Sequence, residues 1–449
     1  MTSDAGMTSP RTMISPDEAL RIVALYATPL SSRPVPIAEA VGRTVAEAVV
    51  ADRDQPPFPR AMMDGYAVRV ASAGREVAVI GEAPAGRAVE AAVTEVGCLE
   101  IMTGAPCPPG TEAVVMEERV RRNGDRVLLP DRIDRGENVA PTGSDCRAGD
   151  GVLAAGEEIT TMGVAALASF GRSTVKVVPR PRLAVIVSGA ELVGAGRVPR
   201  QAQIHDSNGP MLASMALAIG LEPPPCLPAA DDLESLSRCI EEVADRDIVV
   251  LSGGASGGRY DLVRRALECH GAEVIFHRVM QKPGKPLLFA RKGHRLFFGL
   301  PGNPLACHLC FQRYVEAAVR GMEGIDPLPV LETGRLEEPI RTKGGRTHFI
   351  PAIALLAGEG PGGWTVRPLP GASSADIFFP ARANCYLAVP PGSVEIAAGD
   401  PIGFLWLAEA AAGRGARQGP CRVRQEECTP LGAGRGGHVR HDGKKNDHG

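Results

Sequence analysis

The segment Lys282-Pro283-Gly284-Lys285-Pro286 places two ammonium groups three residues apart in a turn stiffened by prolines. Such a turn packs poorly and suits an oxyanion. One cation roughly 4 Å from an anion gains about 4 kcal/mol at an effective dielectric of about 20, against about 1 in water, so the turn is useful only inside a cleft. A second segment, Ser252-Gly253-Gly254-Ala255-Ser256-Gly257-Gly258, precedes Asp261 at a helix start. Missing side chains there expose backbone amides to a ligand, and a helix N-terminus favours an anion. The loop is neither GxGxxG nor GxxxxGK[ST], which removes support for nicotinamide cofactors and ordinary ATPase chemistry. A third, Gly299-Leu300-Pro301-Gly302-Asn303-Pro304, leads from a strand into a helix that Asn303 can cap, with Pro304 in its first turn.

Acids accompany these loops. Glu191 lies in Ser188-Gly189-Ala190-Glu191-Leu192, Asp206 in Gln203-Ile204-His205-Asp206-Ser207-Asn208, and Asp231-Asp232 precedes a helix. Asp206 and Asp231 also read as ordinary helix caps. Earlier in the chain, Met63-Asp64-Gly65-Tyr66-Ala67 and Met102-Thr103-Gly104-Ala105-Pro106 set a polar residue beside a glycine among apolar neighbours. Carboxylates facing a lysine pair would suit a divalent cation shared with a phosphate or oxyanion.

The elements that must position these residues follow from periodicity. Ser15 to Tyr26 predicts a helix capped by Ser15, with Pro16 in the first turn and acids near the start. Short β-rich runs follow from about 51 to 144, including Glu76–Ile80, Ala113–Met116 and Arg126–Leu129. A further helix spans Thr161 to Phe170. A linker unit built from 14–50 and 145–178, with a β-rich domain inserted at 51–144, accounts for this pattern. After Pro179-Arg180-Pro181-Arg182 the chain alternates between strands (Leu183–Val187, Ile248–Leu251, Glu273–Arg278, Arg295–Phe298) and helices (Pro210–Ile219, Leu233–Ala244, Asp261–His270, Pro304–Arg320). That predicts a doubly wound, mostly parallel α/β domain over 179–324, in which ligands bind beyond the carboxyl ends of the strands. Short turn-bounded runs over 325–407 (His348–Leu355, Trp364–Arg367, Tyr386–Val389, Ile402–Leu407) predict a small β barrel or sandwich. The fold class is therefore multidomain α/β plus β.

The 449 residues include 53 glycines and 39 prolines, rich enough for many tight turns but short of low-complexity sequence. The net charge of -3 argues against the usual basic nucleic-acid surface. It averages a basic Gly/Arg-rich segment from about 408 to 449, which reads as disordered, with an acidic body. The opening residues lack a signal peptide's apolar stretch, and no apolar run reaches membrane-spanning length, so the expected location is cytoplasmic. Eleven cysteines without framework spacing read as reduced thiols, and the pair in Cys307-His308-Leu309-Cys310 as buried structural thiols rather than a metal or redox site.

Taken in order, Pro56-Pro57-Phe58, Met63–Ala67, Ile101–Pro106, Gly136-Glu137-Asn138-Val139, Asp206-Ser207-Asn208, Ser252-Gly253-Gly254, Lys282–Pro286, Gly299–Pro304 and the run 374–384 (SADIFFPARAN) resemble the molybdopterin molybdenumtransferases, the family of bacterial MoeA and the gephyrin E domain. The resemblance spans about 14–407. It implies a Mog-like α/β domain, an inserted β-rich domain, a linker and a C-terminal β barrel. It also implies insertion of molybdate into adenylyl-molybdopterin with Mg²⁺ assistance and release of AMP. Carried over by position, Lys282, Lys285 and Arg278 would hold molybdate or the phosphates. Asp64, Asp145, Glu191, Asp231 and Asp261 would bind metal or position the adenylyl phosphate, with Glu191 and Asp261 as the metal ligands. Thr103, Ser252, Gly253, Gly254, Pro301 and Asn303 would contact substrate. The resemblance further implies an elongated homodimer with clefts between subunits, and contact with a molybdopterin adenylyltransferase.

The chain departs from the family pattern in places. Ala190 stands where the family's STGDEL has an acid, Ala255 and Gly257 replace usual valines, and Ala61-Met62 replaces a Ser-Ala pair. Two further readings compete with the transferase: a non-catalytic molybdopterin-binding or scaffold protein, and an adenylyltransferase acting one step earlier. The whole four-domain arrangement disfavours the last.

Overall fold

The computed structural model describes residues 10–253, 260–357, 363–369, 373–392 and 394–408, with Tyr260 and Asp261 described by backbone alone. Gly254 and the C-terminal Gly/Arg-rich segment beyond 408 lie outside the described residues.

Strand Leu183–Ser188 is buried at every position, as an apolar run covered on both faces should be. It lies between Ile248–Gly253 and the edge strand Cys226–Ala229 in a seven-stranded sheet ordered Arg11–Ile14, Glu273–Val279, Leu288–Lys292, Arg295–Leu300, Ile248–Gly253, Leu183–Ser188 and Cys226–Ala229. Helices Pro16–Tyr26 and Asn208–Ala218 and the helical run from Pro304 to Met322 bury one face. Helices Leu233–Glu242 and Tyr260–Cys269 cover the other, completing the doubly wound arrangement. The sheet is mostly parallel, as expected, but Leu288–Lys292 was not anticipated. It runs antiparallel to both neighbours and forms a tight hairpin with Arg295–Leu300.

Helix Pro16–Tyr26 begins as its sequence requires, with the Glu18 amide donating to Ser15 Oγ at 3.1 Å. The sequence groups this helix with the linker unit, yet Ala19, Leu20, Ile22 and Val23 are buried in the α/β core. Its preceding strand Arg11–Ile14 pairs in parallel with Glu273–Val279.

In the linker unit, Thr174–Val178 pairs with Arg33–Pro36 and Thr44–Val45, so strands from both sides of the insertion share one sheet. The insertion is a six-stranded sheet ordered Arg121–Asn123, Arg126–Leu128, Glu76–Ala83, Gly97–Ile101, Gly65–Val68 and Ala113–Met116. The C-terminal strands Thr347–Leu356, Trp364–Pro368, Glu332–Leu336, Pro401–Trp406 and Cys385–Val389 follow one another around a ring. Cys385–Val389 pairs back onto Thr347–Leu356, closing a five-stranded barrel rather than an open sandwich.

Arg180 ties the linker to the α/β domain. It donates to the carbonyls of Gly220 at 2.6 Å and Gly42 at 2.9 Å, and its Nε lies 3.5 Å from Glu323. Among the described residues no helix is long and apolar enough to cross a membrane.

Candidate functional site

The carboxyl ends of Leu183–Ser188, Ile248–Gly253 and Arg295–Leu300 open into a cleft of about 1670 Å³ whose opposite wall is the C-terminal barrel. The Ser188 hydroxyl donates to Asp231 Oδ1 at 2.6 Å, and the Ala190 amide approaches Asp231 Oδ2 at 3.3 Å. Asp231 thus closes the loop that carries Glu191 onto the sheet. The helix cap beside it is Asp232, which accepts from the Ser235 amide at 2.7 Å. Asp206 does serve its helix start, accepting from the Gly209 amide at 3.0 Å.

Gly253 has φ +106°, and a Cβ there would stand 2.0 Å from the Ser188 carbonyl oxygen. This glycine is therefore required by the close approach of two parallel strand ends, whatever it does for a ligand.

The lysine turn leaves the α/β sheet through the short strand Gln281–Lys282, which pairs in parallel with the barrel, Lys282 opposite His348. Below it Gln281 is fully buried. It accepts from the Tyr314 hydroxyl at 2.6 Å and donates to Gly284 O at 3.3 Å. Tyr314 sits in a π-helical turn, Phe311–Val315, that interrupts the otherwise α-helical run expected from Pro304. Single π turns of this kind recur at functional sites.

Lys343 and Arg346 on the barrel face the same cleft as Lys282 and Lys285. None of these four cations has an ion-pair partner among the described residues, whereas neighbouring Arg341 is held by Glu395 at 2.7 Å. His348 is pushed below its ordinary value, first by burial and then by the charges of Lys282 and Arg346, so its imidazole is neutral near pH 7. The cleft is cationic without help from histidine.

Asn303 does not cap its helix by side chain. Its Nδ2 donates instead to Ser374 Oγ at 2.7 Å, tying the Gly299–Pro304 loop to the barrel's SADIFFPARAN segment. The expectation of a structural cap is corrected: Pro304 starts the helix, and Asn303 spans two domains. Cys307 and Cys310 are fully buried, and burial pushes the Cys307 thiol up to about 12, which fits the structural reading of that pair.

Of the residues singled out from sequence, Glu191, Ser252, Gly253, Lys282, Lys285, Pro301 and Asn303 line this cleft, and Asp231 braces it through Ser188. Arg278, in the left-handed region at φ +65°, does not line it. Neither do the insertion's residues. Asp64 instead accepts from the Thr103 amide at 2.6 Å and its hydroxyl at 2.8 Å, which holds its carboxyl below the ordinary value. Asp145 pairs with Arg60 at 2.9 Å. Gly254 and the Asp261 side chain fall outside the described residues. Sequence reasoning missed the barrel's contribution, although Lys343-Gly344-Gly345-Arg346 is a basic glycine turn of the kind weighed elsewhere.

The model of the MoeA N-terminal region, domains I and II, matches residues 14–171, that of a probable molybdopterin binding domain 184–321, and that of the MoeA C-terminal region, domain IV, 333–407. The chain belongs to the MoeA family. Its curated MoeA-type relatives include a molybdopterin molybdenumtransferase of Staphylococcus aureus, 32% identical over 90% of this chain and 97% of the relative. Another, from Staphylococcus epidermidis, is 30% identical over 87% of this chain and 95% of the relative. Two crystal structures of the molybdopterin biosynthesis MoeA protein of Pyrococcus horikoshii superpose with TM-scores of 0.74 and 0.71. They are 28% and 26% identical and cover 88% of this chain and 99% and 100% of theirs. The MoeA assignment thus extends over the insertion, the α/β domain and the barrel.

Proposed function

We propose that this protein is a molybdopterin molybdenumtransferase, inserting molybdate into adenylyl-molybdopterin with release of AMP. The observation that carries the reading is the convergence of Lys282, Lys285, Lys343 and Arg346, all without ion-pair partners among the described residues, on one cleft of a MoeA-family chain. Both substrates are anions, and bringing them together is opposed mainly by charge. Fixed cations that neutralise and align them supply most of what the reaction needs. Lys282 and Lys285 hold molybdate and the adenylyl phosphate. Ser252, Gly253, Pro301 and Asn303 shape the floor, and Asp231 keeps the Glu191 loop in place.

Among the described residues no three His, Cys, Asp or Glu side chains stand together as a metal cage. Glu191 and Asp206 nevertheless line the cleft. That donor set fits Mg²⁺, which commonly takes one or two carboxylates and draws its other ligands from phosphates and water. Glu191 would hold the ion, with Asp261 as the second carboxylate that the family resemblance implies, and the bound ion would offset phosphate charge.

The insertion's Asp64, Thr103 and Asp145 do not reach the cleft of their own chain. An elongated cytoplasmic homodimer, in which they meet the partner's cleft, gives them a role and completes the site. A transient encounter with a molybdopterin adenylyltransferase would deliver the adenylated substrate.

A second reading, a non-catalytic molybdopterin binder, is favoured by Ala190, where the family carries an acid. Against it, position 190 contributes its backbone amide to Asp231, so the loop closes without a carboxylate there. The deciding experiment follows AMP release from adenylyl-molybdopterin with molybdate and Mg²⁺. The transferase predicts molybdate-dependent release that Lys282→Ala abolishes with the circular dichroism spectrum unchanged. Release at background level in the unsubstituted protein sinks the transferase and leaves the binder.

A further inference from the structure

At the opposite end of the α/β sheet lies a second cavity of about 660 Å³, within the size range of small-molecule sites. Strand Leu183–Ser188 begins at this cavity and ends at the cationic cleft, so about 17 Å of strand separates the two at 3.3 Å per residue. The cavity lies where linker and α/β domain meet. Its lining includes Arg33 and Arg43 from the linker, Arg180 and Arg182 from the boundary, and Arg246 and His294 from the α/β domain. Asp247 and Glu222 are the acids of that lining.

The five arginines are not equivalent. Arg180 is spent on the carbonyls of Gly220 and Gly42. Arg182 and Arg246 face Asp245, at 3.3 Å in each case. Arg33 and Arg43 make no side-chain hydrogen bond or ion pair among the described residues, although the charge of Arg43 is felt by the buried Glu323 carboxyl. Like charges gathered around a concavity repel one another unless a counter-ion joins them. Guanidinium groups match the paired oxygens of a phosphate, which a lysine ammonium does not. Nothing in the molybdenum chemistry proposed above uses this end of the molecule.

We propose that this cavity is a binding site for a small phosphate-bearing anion, held chiefly by Arg33 and Arg43 and bridging the linker to the α/β domain. The ligand is taken up without covalent change, and the site does not depend on the transferase reading. It is independent of the lysine turn, which supplies the control.

The test is calorimetric titration with inorganic pyrophosphate. In the Lys282→Ala/Lys285→Ala protein one binding event is expected to persist. Adding Arg33→Gln and Arg43→Gln is expected to weaken it at least about tenfold. Absence of binding to the double-lysine variant, or binding unchanged after the arginine substitutions, overturns the proposal. A second readout needs no arginine variant. The His294 imidazole resonances of the double-lysine protein should shift during the titration, and resonances that stay fixed at saturating pyrophosphate also overturn it.

Discussion

Ser188 and Asp231, 43 positions apart in sequence, meet at 2.6 Å where two neighbouring strands end. Through this bond and the Ala190 amide, one carboxylate fixes the loop that presents Glu191 to the cleft. A hydrogen bond to an ionised group contributes about 1.5–3 kcal/mol. Ser188→Ala should lower stability by about that amount in urea unfolding, and should reduce AMP release because the Glu191 loop loosens. Unchanged turnover would remove Asp231 from the positioning role given to it.

Gly253 makes a sharper demand. A methyl group at this position meets the Ser188 carbonyl oxygen at 2.0 Å, in a backbone conformation that L residues avoid. Gly253→Ala should cost at least about 3 kcal/mol, since strain and overlap add. Equilibrium denaturation checks this, and a loss below about 1 kcal/mol would mean the strand ends separate easily.

Asn303 distinguishes a cap from a tether. If its side chain served the helix, Asn303→Ala would lower stability by about 1 kcal/mol. Its bond to Ser374 predicts otherwise: a change within about 0.5 kcal/mol in stability but a several-fold rise in KM for the pterin substrate, because the Gly299–Pro304 loop loses its hold on the barrel. Ser374→Ala should reproduce the effect.

Glu323 gives the molecule a pH dependence away from the cleft. Burial pushes its carboxyl from an ordinary 4.5 up to about 7, opposed by the charges of Arg180, Arg43 and Arg320. The folded chain therefore binds this proton more tightly than the unfolded chain. The resulting stabilisation is complete below 4.5, falls as pH rises, and is gone above about 7, on the order of 3 kcal/mol in all. Glu323→Gln keeps a neutral side chain throughout. Its melting temperature relative to the unsubstituted protein should be higher at pH 8, and that advantage should disappear by pH 4.5. A pH-independent difference would contradict the assignment.

Subunit sharing can be tested by mixing. Asp64→Ala and Lys282→Ala should each be inactive alone. After dissociation and reassociation together they should recover about a quarter of full activity, because about half the dimers are mixed and each has one intact composite site. No recovery would place Asp64 and Lys282 in unrelated roles.

Local rules made much of this architecture readable. The Ser15 cap, the Pro304 helix start and the buried strand Leu183–Ser188 are written within a few residues of where they act. Strand Leu288–Lys292 escaped because βα alternation leads one to expect a crossover, whereas Gly293-His294 turns the chain straight back into a hairpin. Within the site, composition marked the lysine turn and the glycines, but it could not say where Asp231 points. Two carboxylates stand side by side there, and only the fold decides that Asp232 caps while Asp231 reaches Ser188. Lys343 and Arg346 join the cleft through a strand pairing that spans more than sixty residues, for which sequence offers no local signal.

That pairing, Lys282 beside His348, means the first residue of the lysine turn is hydrogen-bonded partly as a barrel strand. The α/β domain is therefore not a self-sufficient module. Cut from the chain after Met322, or fused to another protein's barrel whose register differs by one residue, it would retain both lysines but lose the edge that aims them. Any recombination that exchanged the C-terminal domain would have to carry a matching strand with it, which binds the two domains to a shared history of change.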